Sequence, residues 1–178
     1  MAQNNAARAG QPTTSSANLP PEVASVLDGV SRLLADGQAG QALASVEAVA
    51  LRSPWVDNAR AVCFLRLGRP AAAVEALRRV VFDSTGFAVR SDAHPVHQAN
   101  YAAALLLDGN TDGFFAILAD IRDRGHPAVS RLDDAVRRWK AGMSWGRWVV
   151  ALVWSSGRPP SLDYPPGEIY PHGTGGPQ

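Results

Sequence analysis

The sequence predicts an all-α fold, and three observations carry that expectation. Apolar residues recur at intervals of three and four and not at two, the spacing of amphipathic helices. Glycine and proline break the chain at short intervals. The glycines among those breaks are themselves regularly placed, because Gly37, Gly68, Gly109 and Gly142 follow one another at 31, 41 and 33 residues. No stretch reads as a convincing strand. With 178 residues, 46% of them apolar, the chain has enough material for one core of ordinary size, which excludes a large multidomain enzyme.

The first 18 residues are mostly Ala, Gln, Asn, Ser, Thr and Gly, with no apolar run that resembles a signal-peptide core. They are expected to form a disordered, cytoplasm-compatible tail. Residues 19–157 are expected to be the folded part. Pro20 and Pro21, Gly37, Pro54, Gly68 and Pro70, Pro95, Gly109, Gly125 with Pro127, and Gly142 divide that part into eight helices of about 12 to 16 residues. Glycine suits a helix C-terminus, and proline suits the first turn of the next helix. Three of the apolar stripes are Ala73, Leu77, Val80 and Val81; Phe114, Ile117, Leu118 and Ile121; and Val129, Leu132, Val136 and Trp139. Residues 82–94 show no helical period and lengthen the second interval by about ten residues, as an inserted loop does. From position 158 to 178 proline and glycine are dense, and no regular element is expected. The longest apolar runs, Tyr101 to Leu107 and Trp148 to Trp154, are seven residues each. A spanning helix needs about 20, so no membrane span is expected.

A small or apolar residue lies five positions beyond each of the first three periodic glycines, at Ala42, Ala73 and Phe114. Two helices of a hairpin approach closely only where small side chains face each other, and such a pattern makes each hairpin stack on the next. The segments LADGQAGQALASVEAVALRSP from Leu34 and NARAVCFLRLGRPAAAVEALRRVV from Asn58 resemble the tetratricopeptide repeat, with Ala61, Phe64, Gly68, Ala73, Leu77 and Val80 on that family's packing positions. NYAAALLLDGN from Asn100 is similar to the first helix of a further repeat. The fourth unit departs from the pattern, since Arg147 stands where a small residue belongs, so it is either a divergent repeat or a capping pair.

The resemblance implies a right-handed solenoid of three to four antiparallel helical hairpins acting as a non-enzymatic protein-binding adaptor or scaffold. In that family the first helices of the hairpins line a concave groove. The family register puts Leu27, Ser31, Leu34, Trp55, Asn58, Val62, Leu65, Arg66, Ala99, Ala103, Leu106 and Val136 near it, a mainly apolar lining suited to an apolar or amphipathic peptide segment. Asn100 falls on a polar position that some members use to clamp a C-terminal carboxylate. The lysines of such a clamp are missing, which disfavours that ligand.

Other constellations carry weaker chemistry. Gly142 to Gly146 matches G-x-S-x-G, and Asp163 and His172 follow Ser144 in the chain order of a hydrolase triad. This is the enzyme alternative, a small serine hydrolase. A nucleophile elbow needs a preceding strand, however, and RLDDAVRRWK from Arg131 reads as a charged helix, with Ser144 as an N-cap beyond it. Asp92, His94 and His97 approach a metal-ligand cluster but lack a spaced fourth ligand, and loop polarity with helix capping accounts for them. Cys63, the one cysteine, sits in an apolar run as a small buried residue. No phosphate loop or dinucleotide fingerprint is present, and neither cofactor nor metal is expected.

Trp139, Trp145, Trp148 and Trp154 crowd into sixteen residues, and Val150, Val153 and Trp154 lie off the face shared by Trp145, Trp148, Val149 and Leu152. A terminal helix that is apolar nearly all round needs a cover. Trp148, Val150 and Trp154 therefore join the expected partner-binding residues, and self-assembly through this helix is the second reading of function. A membrane-surface helix brings a basic polar face, and here Arg147 alone is charged. Seventeen basic against sixteen acidic residues give a net charge of +1, which marks no nucleic-acid partner. Finally, Tyr164, Ile169 and Tyr170 are apolar anchors on the stiff segment LDYPPGEIYP. That segment is either a spacer or a piece that docks on the groove or on the Trp-rich helix of its own chain, which would make the chain autoinhibited.

Overall fold

A computed structural model describes residues 19–86, 88–142 and 160–170. The described part is all-helical, with α1 (Pro21–Ala35), α2 (Ala39–Glu47), α3 (Pro54–Arg66), α4 (Pro70–Val81), α5 (Pro95–Leu107), α6 (Thr111–Asp120) and α7 (Pro127–Ala141). No helix among these residues is long and apolar enough to cross a membrane. The expected eighth helix, with Ser144, Trp145, Arg147, Trp148, Val150 and Trp154, lies outside the described residues, as does His172.

Helix ends follow local chemistry. Five of the seven helices begin with proline in the first turn, where its missing N–H is no loss. The first three periodic glycines adopt φ of +73°, +68° and +85°, and each stops a helix in the same way. The residue after the glycine donates its N–H to the carbonyl five residues back, Gln38 to Leu33, Arg69 to Phe64 and Asn110 to Leu105, at 2.8 to 2.9 Å. Gly142 differs, with φ of −80° in the right-handed region. Two N-caps are histidines, since His94 and His126 Nδ1 each accept the N–H two residues on at 3.2 Å.

Each helix packs on the next from α1 to α6, and the odd-numbered helices also touch one another, α1 with α3, α3 with α5 and α5 with α7. Ala42, Ala73 and Phe114 are fully buried, as close hairpin packing requires. Two apolar clusters result. One joins α1, α2 and the first part of α3, and the other runs from α3 through α7. The inserted loop after α4 is pinned by an isolated antiparallel bridge between Phe82 and Val89, and its Arg90 and Asp92 pair at 2.7 Å. Residues 160–170 form no regular element, yet they lie on the helices. The expected folded part ended at 157, but Ile169 is only 8% exposed and belongs to the first cluster.

Candidate functional site

The odd-numbered helices share one side of the molecule, and residues 160–170 run across it. Asn58 on α3 and Asn100 on α5 are 42 positions apart in sequence, yet the Asn100 Nδ2 donates to Asn58 Oδ1 at 2.7 Å. Both carboxamides are buried, at 0% and 3% exposure, and an unpaired amide in such a place costs about 1–3 kcal/mol. The tail supplies the missing partners. Asn100 Oδ1 accepts the Glu168 N–H at 2.9 Å, while the Glu168 carbonyl accepts from Asn100 Nδ2 at 2.7 Å and from Asn58 Nδ2 at 2.9 Å. The Asn100 side chain thus binds both main-chain groups of one residue, as a neighbouring strand would. This recognises the main chain of one residue without reading its side chain.

Further contacts lie on either side. Arg66 Nε donates to the Pro166 carbonyl at 2.7 Å, and partial burial lowers the pKa of its guanidinium. Arg131 on α7 pairs with Glu168 Oε1 at 2.9 Å, and Arg138, two turns further along α7, pairs with Asp163 at 2.7 Å. Ile169 is buried as a member of the apolar cluster that also holds Val23, Leu27, Val30, Val56, Ala59 and Val62. Its burial stabilises the docked tail by about 1.5–3 kcal/mol. Tyr170 Oη donates to Asp28 Oδ1 at 2.6 Å, with the Ala24 carbonyl 3.1 Å away; desolvation by burial raises the phenol's pKa, and that bond to Asp28 raises it further. Tyr164 packs on the second cluster, and its pKa is pushed up to about 12, mainly by burial. Beside the tail a cavity of about 370 Å³ remains, lined in part by Ser31, Leu34 and Arg131.

The structure distributes the residues expected at the groove. Asn58, Val62, Arg66 and Asn100 meet the tail, with Ser31 and Leu34 bordering the adjacent cavity. Leu27 belongs to the same apolar cluster as Ile169. Leu65, Ala99, Ala103, Leu106 and Val136 are buried in the second cluster. Trp55 bridges the two clusters, with its ring 4.9 Å from that of His94 and 4.4 Å from that of His97. Trp148, Val150 and Trp154 lie outside the described residues. Sequence reasoning missed Asp28, Arg131 and Arg138. The seven-residue spacing of the two arginines on a helix, matched against Asp163 and Glu168, was the signal available for two of them.

The other candidate centres are placed as follows. Asp92 is turned to Arg90 through two hydrogen bonds, of 2.9 and 2.7 Å. His94 spends Nδ1 on its helix cap, and its pKa is lowered to about 4, mainly by burial. His97 is lowered further, to about 3, again chiefly by burial. No group of three His, Cys, Asp or Glu among the described residues is arranged to hold a metal ion. Asp163 of the hydrolase alternative is paired with Arg138, and the residue before Gly142 ends helix α7. The Cys63 thiol is buried and its pKa is pushed up to about 11 by desolvation.

Compared with protein-family models, with curated proteins and with solved structures, the chain gives no match.

Proposed function

We propose that the protein is a non-enzymatic adaptor whose groove, built by α1, α3, α5 and α7, receives an extended peptide segment of another protein. The observation that carries this reading is the grip of Asn58 and Asn100 on both main-chain groups of Glu168. A buried carboxamide pair that binds backbone and not side chain serves recognition of an extended chain, because every peptide presents those groups. Arginines along the groove add a preference for acidic segments, and the apolar seat of Ile169 adds one for an aliphatic anchor. The same reading takes the hairpins as a tetratricopeptide-like, right-handed solenoid. It draws support from the recurring glycine stops, from the buried Ala42 and Ala73, and from the contacts of each odd-numbered helix with the next odd-numbered one. A cytoplasmic setting belongs to it as well, and the single cysteine, Cys63, is compatible with that setting.

Panning a random peptide library on a full chain whose own tail is weakened by Glu168→Lys and Ile169→Asp tests the proposal, with the same chain carrying Asn58→Ala and Asn100→Ala as the counter-target. Recovered peptides should bind the tail-weakened chain and lose at least tenfold in affinity on the counter-target. Binders indifferent to the two substitutions would show that the asparagines serve the fold alone.

A further inference from the structure

Residues 164–170 are read position by position by the groove, and this goes beyond the backbone grip. The backbone of Gly167 has φ of +90°, and a Cβ placed on it would lie 2.9 Å from both methyl carbons of Val62. Val62 is fully buried and β-branched, so it has no room to give way. The groove therefore accepts only glycine at that point. The next position faces a charge, since Glu168 meets Arg131, and a basic residue there would oppose it. The one after, Ile169, is buried at 8% exposure in the apolar cluster that includes Leu27 and Val62. The last offers a phenol hydroxyl to Asp28. Ahead of the glycine, Pro165 and Pro166 restrict the backbone, and Arg66 Nε donates to the Pro166 carbonyl.

From this fit we infer that the partner of this chain presents the same short pattern, Pro-Gly, an acidic residue, a branched aliphatic residue and Tyr, with the glycine in the left-handed region, and that residues 160–170 are its built-in competitor. The inference rests on the proposed peptide-binding role and specifies its ligand. Charge supports the commitment to an acidic segment, because Arg66, Arg131 and Arg138 line the path while Asp163 and Glu168 are the two acidic side chains laid on it. Competition follows from covalent attachment. A tethered segment acts at an effective concentration on the order of millimolar, so a free peptide at micromolar concentration gains access only when the tail is weakened or when the partner binds through more than one contact.

The test uses a fluorescein-labelled synthetic peptide of residues 160–170 and the full chain, read by fluorescence anisotropy. The peptide should bind a full chain carrying Glu168→Lys and Ile169→Asp in its own tail at least tenfold more tightly than it binds the natural chain. On that variant, peptides bearing Gly167→Ala or Glu168→Lys should bind at least tenfold more weakly than the natural sequence. A second arm keeps the tail intact. A protease site placed within residues 143–159 is cut, and the cut chain should keep its helical circular dichroism and exchange its own 160–178 piece for the labelled peptide.

Loss of helicity on cutting, or a tail that never exchanges, overturns the inference and makes residues 160–170 a fixed part of the core. Equal binding of the natural and substituted peptides overturns the sequence pattern while leaving the peptide-binding role standing. Absence of binding by any peptide in both arms removes both.

Discussion

Replacing Gly167 by alanine isolates the docked tail from the rest of the fold. The substitution adds one methyl group, and two terms oppose it. A side chain in the left-handed region costs roughly 1–2 kcal/mol. Pressing the new Cβ to 2.9 Å from two methyl carbons of Val62, buried on α3 and held in one rotamer, adds overpacking of typically 1–3 kcal/mol. Together they disfavour the docked tail by about 2–5 kcal/mol, a factor of about 30 to several thousand in its equilibrium. The reporter is the Glu168 N–H, which donates to Asn100 Oδ1 at 2.9 Å in the docked state. Native-state hydrogen exchange should show its protection falling by that factor, while amides of α4, remote from the tail, keep theirs. Unchanged protection at Glu168 would refute the reasoning, since it would mean that the tail carries a side chain at position 167 without strain. A parallel fall across α4 would refute it differently, by making the tail and the helices one cooperative unit.

Acid should weaken the fold through two histidines. His94 and His97 titrate at about 4 and about 3 in the folded chain, against an ordinary 6.5, with burial the main cause and His126 adding to the shift at His94 while Asp123 opposes it. The unfolded chain therefore binds protons that the folded chain refuses. The stability these groups provide is full above pH 6.5 and is lost as the pH falls from there toward about 4 for His94 and about 3 for His97. Urea midpoints measured across that range should decline, and ring proton shifts of His97 should stay those of a neutral imidazole at pH 5. A His97 ring that is charged at pH 5 in the folded protein would contradict the placement. Cys63, buried and with its pKa near 11, should resist a thiol reagent at pH 8 in the folded chain and react fully in urea. Rapid reaction without denaturant would place the thiol at the surface.

The sequence alone determined what short-range physics determines. A three-to-four period marks helices because burial of one face demands it, and the stripes Ala73, Leu77, Val80, Val81 and Phe114, Ile117, Leu118, Ile121 are buried as that rule requires. Glycine stops at 37, 68 and 109 were legible because a left-handed residue ends a helix within a few bonds of itself. Four of the residues that meet the docked segment lay among those expected from helical register, and the structure sets Asn58, Val62, Arg66 and Asn100 against residues 166–169. Trp55, expected beside them, packs its ring against His94 and His97. Periodicity gives the face of a helix and not the neighbour that covers it. Only the tertiary structure decided which of two uses the Pro-rich segment has, spacer or docked chain. Its contacts join residues about 25 to 146 positions apart, Asp163 with Arg138 at one end and Tyr170 with Ala24 at the other. No local pattern encodes such pairings. They arise because packed helices bring Asn58 and Asn100 together as a buried amide pair, and that pair is satisfied by the backbone of Glu168.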